Sequence, residues 1–83
     1  MTHELKCISP YFEAVQIGDK KFEIRKDDRC FQKGDKVILR HYDQEHCCYV
    51  PDSVEIYLTI TYVCHFEQKE GWCVFGFEKE KGV

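Results

Sequence analysis

The chain reads as an α+β domain dominated by β structure, and three observations predict it. Segments of alternating apolar and polar residues recur through most of its 83 residues, only one stretch carries helix punctuation, and short turns separate the rest. Five strands with one short N-terminal helix and mostly antiparallel connections suggest a small, partly closed β-barrel, because closure removes edges that a flat sheet of this length would expose.

His3–Ile8 alternates loosely and forms a first strand that ends at Ser9-Pro10. Ser9 as N-cap, Pro10 at the first helical position and Gly18 just past the end bracket a helix whose Tyr11, Phe12, Ala14 and Val15 face inward. A helix of about two turns does not stand alone in water, so it must dock on the sheet. Lys21–Lys26 alternates as a half-buried strand does, with Phe22 and Ile24 on one side and Lys21, Glu23 and Arg25 on the other. An irregular connection follows to a turn at Gly34-Asp35, then a β-rich run over Lys36–Tyr42 and a polar loop or hairpin tip over Asp43–Ser53. Val54–Phe66 is a long strand with Val54, Ile56, Leu58, Ile60, Tyr62 and Cys64 on one face. Trp72–Glu78 closes the series after a turn at Gly71.

Length and composition limit the functions open to such a chain. At 9.9 kDa, residues 1–83 make one small domain with a thin core, so any active site is shallow. With 43% hydrophobic and 33% charged residues it is a folding chain and not a disordered one. No apolar run approaches the roughly 20 residues of a membrane-spanning helix, and Met1–Glu4 lacks a signal-peptide pattern; the expectation is a cytoplasmic protein without a membrane partner. Six cysteines in that setting are free thiols and core fillers. None stands in a Cys-x-x-Cys spacing and the four histidines are scattered, so neither a metal nor another cofactor is expected.

The net charge of −3 is unevenly spread: residues 1–40 carry +2 and residues 41–83 carry −5. Lys20–Arg40 alone is +4, a local basic field that concentrates an anionic ligand such as phosphate or RNA. The alternative is a solvated surface laced with ion pairs.

The segment Gly18-Asp19-Lys20-Lys21-Phe22-Glu23-Ile24-Arg25 carries the most specific signal. Its pattern Gly-x-Lys-x-x-Glu-x-Arg after a short helix resembles the signature of ASCH domains, small barrels of the PUA-like superfamily. Leu5-Lys6, Tyr11–Val15, Asp28-Arg29-x-Phe31, Gly34-Asp35 and Glu70-Gly71-Trp72 extend the resemblance over nearly the whole chain, toward short, uncharacterised bacterial and phage proteins of that superfamily. The resemblance implies an RNA- or nucleotide-binding module with its ligand in a cleft between the first helix and the barrel. The ligand-binding residues would be Lys20, Lys21, Glu23, Arg25 and Arg29. Small bacterial members act instead as amidohydrolases on N(4)-acetylcytidine, using the motif lysine, a threonine on the next strand and a later glutamate. Lys20 aligns with that lysine and Glu23 stands where the threonine would be; Lys20 and Glu23 are then the candidate catalytic pair, with Glu67 or Glu70 as the later glutamate.

Read from the residues alone, Glu23 and Arg25 share one strand face two positions apart, which sets a carboxylate beside a guanidinium. Arg25 suits phosphate or a base edge, and Lys20 supplies a point charge. The same pair also serves as a structural ion pair at the rim of the sheet. Lys6, Arg29 and Arg40 extend a basic rim, and Tyr11, Phe31, Tyr42 and Tyr57 are candidates for base stacking. A third reading, a protein partner for the acidic second half, stays open.

Overall fold

The computed structural model describes residues 1–80. Chain order is β1 (Thr2–Cys7), α1 (Tyr11–Gln16), β2 (Phe22–Lys26), β3 (Lys36–Asp43), β4 (Cys48–Tyr49), β5 (Ile56–Cys64) and β6 (Trp72–Lys79). The main sheet runs β1-β3-β5-β6-β2, with β4 paired to β3. β1 and β3 are parallel and every other pair is antiparallel.

The fold is therefore mainly β with one short helix, as the alternation implies, but two expectations need correction. Among the described residues there are six strands, since the polar tip after β3 folds back as the two-residue β4. The sheet is also not closed into a barrel: β1 and β2 are its two edges and share no ladder. Long side chains fill the place of a ladder between them. Arg25 Nη2 donates to the Lys6 carbonyl at 2.9 Å and Arg29 Nη1 to the Glu4 carbonyl at 3.0 Å, so two carbonyls on one edge of β1 are satisfied by guanidinium groups.

The helix begins later than its punctuation implies. Its N-cap position is Pro10, with no side-chain capping bond. Ser9 Oγ instead donates to Glu13 Oε2 at 2.7 Å and lies 2.8 Å from His41 Nε2. Phe12 and Val15 are buried, while Tyr11 is half exposed and leaves the core. Gly18, at φ 92°, donates its N–H to the Val15 carbonyl and turns the chain toward β2, a left-handed position that suits glycine.

The core is one cluster beneath α1, with Phe12, Val15, Leu39, Leu58, Ile60 and Phe75 at its centre. In β5, Ile56, Leu58 and Ile60 point inward as their alternation requires. A register shift between Ile60 and Tyr62 reverses the remainder, so Tyr62 is exposed and Val63 packs on the core.

β2 is buried on its polar side. Glu23 is 3% exposed, whereas Phe22 and Ile24 are 46% and 55% exposed. Alternation fixes which residues share a face and does not say which face turns inward. Here the polar face wins because the Glu23 carboxylate finds two cations inside.

Candidate functional site

Glu23 sits on the inward face of β2 with Lys20 and Arg25 as its ion-pair partners. Arg25 Nη2 donates to Glu23 Oε1 at 2.8 Å, and Lys20 Nζ contacts Oε2. Burial of a carboxylate is tolerated only with such compensation, and two cations supply it. The turn after α1 delivers Lys20: its backbone N–H donates to the Ala14 carbonyl at 3.0 Å, tying the start of the motif under the helix. Its ammonium lies 5.7 Å from the centre of the Tyr11 ring and 5.2 Å from that of Phe22, flanked by aromatic faces.

Lys20, Glu23 and Arg25 line an open groove of about 620 Å³ between the sheet edges. Leu5, Cys7, Ile8 and Phe31 form its apolar surface, and Lys6, Lys20, Arg25, Lys26 and Arg29 line it together with Glu23 and Asp28, the Lys6 ammonium itself lying 4.5 Å from the centre of the Tyr42 ring. Five cations against two carboxylates make the groove basic on a chain whose net charge is −3. Tyr11 and Trp72, both substantially exposed, also line it. Cys7 points its thiol at Glu23 Oε1, 3.9 Å away. Burial first, and the Glu23 charge second, push that thiol up to about 11, so it stays protonated at neutral pH.

Of the residues singled out in the sequence, Lys20, Glu23, Arg25 and Arg29 come together here. Lys21 is exposed and outside the groove; Arg40, half-buried, also lies outside it and pairs with Glu4 and Glu55 at 3.0 and 2.8 Å. Glu67 and Glu70 are exposed and do not line it either. Among the stacking candidates Tyr11 is at the groove surface and Phe31 is buried; Tyr42 and Tyr57 lie elsewhere. Trp72, Ile24 and Lys26 are groove residues that the sequence reading missed. Lys26 and Trp72 face each other across the β2–β6 pairing, so their proximity is a matter of register and not of spacing along the chain.

Elsewhere, histidines pair with carboxylates. His3, itself buried, donates from Nε2 to Asp35 Oδ2 at 2.8 Å, and this bond is the main reason the Asp35 carboxyl lies below its usual range. His65 does the same to Asp27, again at 2.8 Å, and lowers it likewise. Among the described residues no helix is long and apolar enough to cross a membrane.

Comparison with known proteins gives two findings. The chain is 43% identical over 42 residues to the "uncharacterized 12.9 kDa protein in GpA 3'region" of Escherichia phage P2, an alignment that takes in 51% of this chain and 38% of that protein. A family model described as "Domain of unknown function (DUF3850)" matches residues 2–77. With nearly its whole length matched, the chain belongs to the DUF3850 family.

Proposed function

We propose that this protein is an RNA- or nucleotide-binding module of the ASCH/PUA-like type, its ligand lying in the groove between α1 and the two sheet edges. The observation that carries the reading is the basic groove beside the buried Glu23, with Tyr11 and Trp72 on its surface. Lys6, Lys26 and Arg29 meet phosphate oxygens, and an aromatic ring stacks on a base, an interaction worth about 1–3 kcal/mol per base. Arg25 and Lys20 are held in place by Glu23, which lowers the ordering cost of using them. Trp72 is the sole tryptophan of the chain, so its fluorescence reports on the groove directly. Titration with short single-stranded RNA and with nucleotides is expected to quench it, and Arg25→Ala to weaken the response; an unchanged signal at saturating ligand, with no binding by a second method, refutes the reading.

The contact between Lys20 and Glu23 inside the groove favours a second reading, an amidohydrolase acting on a modified nucleoside such as N(4)-acetylcytidine. Water would add to the acetyl carbonyl and the exocyclic C–N bond would break, giving acetate and cytidine, with the lysine–glutamate pair moving the protons. Cytidine released by the wild type and not by Lys20→Ala establishes it; absence of turnover leaves the binding module.

A further inference from the structure

Three strand ends converge beside the groove and bring together donors that line no part of it. β2 runs out into Asp27, β5 into His65, and Cys73 is the second residue of β6. One carboxylate oxygen, one imidazole nitrogen and one sulfur from these residues lie within 4.8 Å of one another. Backbone bonds hold the arrangement: the Asp27 N–H donates to the Gly71 carbonyl at 2.8 Å, and Asp27 Oδ1 accepts from the Phe31 N–H at 3.1 Å. That leaves Oδ2 directed at His65 Nε2. Cys73 is fully buried, Asp27 half-buried and His65 exposed, so the donors form a funnel open on the histidine side with the thiol at its base.

We propose that Asp27, His65 and Cys73 form a zinc site with three protein ligands and a fourth position for water. The donor set decides the metal. Thiolate with imidazole suits zinc, whereas magnesium and calcium take oxygen ligands. Tetrahedral zinc with ordinary bond lengths separates its ligand atoms by about 3.2–3.7 Å. The His65–Asp27 pair, now 2.8 Å apart, therefore opens by about half an ångström as the ion replaces the shared proton. The Cys73 thiol loses its proton to solvent on binding, which makes affinity rise with pH. The three ligands lie far apart in sequence, which is why no ligand motif is visible there.

The test is cobalt(II) titration of the fully reduced protein, read by absorption. The site predicts saturable thiolate-to-cobalt charge transfer that zinc abolishes by competition. It is lost in Cys73→Ser, persists in a Cys30→Ser/Cys47→Ser/Cys48→Ser variant, and weakens in His65→Ala by at least the roughly tenfold that even a supporting group ordinarily costs. His65 is exposed, so that variant carries the test should Cys73→Ser fail to fold. Absence of charge transfer overturns the proposal. So does a band that survives His65→Ala unchanged or vanishes in the triple variant, either of which places the ion on surface cysteines.

Discussion

Arg25 and Glu23 lie two residues apart on β2 and share its inward side, with Arg25 Nη2 2.8 Å from Glu23 Oε1 and 2.9 Å from the Lys6 carbonyl. One guanidinium thus ties a buried carboxylate to the opposite edge of the sheet. Taking one member from a buried pair costs on the order of 3–5 kcal/mol, but Lys20 and Arg25 retain some exposure and recover hydration, so Glu23→Ala is expected to cost about 2 kcal/mol. Glu23→Gln keeps an acceptor and costs about half as much, on the order of 1 kcal/mol. Urea unfolding of the two variants checks the ranking; equal stability for wild type and Glu23→Ala contradicts it.

Binding of short single-stranded RNA is expected to weaken with salt. Lys6, Lys26 and Arg29 are the groove cations not committed to Glu23; three phosphate contacts at about 0.7 each give a slope near −2 for log K against log salt concentration. Arg29→Ala lowers the slope by about 0.7, at one fewer phosphate contact. Anisotropy titrations across a salt series measure both, and a flat dependence removes phosphate contacts from the account.

Thiol reactivity separates the cysteines by position. Cys30, Cys47 and Cys48 are exposed and react promptly with a disulfide reagent; Cys7 and Cys73 are buried and react only on unfolding. A rise for Cys7 from 9.0 to about 11 alone cuts its thiolate fraction near neutral pH by about a hundredfold. Prompt modification of Cys7, read by peptide mass mapping, contradicts the protonated, buried thiol beside Glu23.

Acid weakens the link between β1 and the turn before β3. The Asp35 carboxyl is lowered in the folded state, chiefly by the hydrogen bond from His3. Its stabilisation is therefore present above the unfolded aspartate value of about 3.9 and is lost as pH falls through the lower folded value. Asp35→Asn is expected to be less stable than wild type at pH 6 and to approach it as the pH falls through the lowered folded value of Asp35. A gap that stays constant across that range rules out the carboxylate as its source.

The sequence discloses the strands more readily than it discloses which way they face. Ile56, Leu58 and Ile60 were legible because a strongly apolar alternation has one stable orientation. The alternation of Phe22 and Ile24 leaves the inward side open, since a local pattern cannot register that Lys20 and Arg25 compensate a buried Glu23. The register shift after Ile60 left no local mark, and Ser9 resembled a cap although its hydroxyl is engaged by Glu13 and His41. In the groove, the residues of one motif, Lys20, Glu23 and Arg25, were visible from spacing, whereas Trp72 and Lys26 meet only through pairing of β2 with β6.

The proposed RNA or nucleotide ligand in the groove between β1 and β2 is tested by a two-dimensional NMR titration of labelled protein with short single-stranded RNA and a set of nucleosides including N(4)-acetylcytidine. Shifts are expected to be confined to β1, Lys20–Arg29 and the Trp72 indole, to saturate with ligand and to diminish in Arg25→Ala. Silence at those resonances with every ligand, or shifts centred on the β3–β4 tip instead, contradicts it.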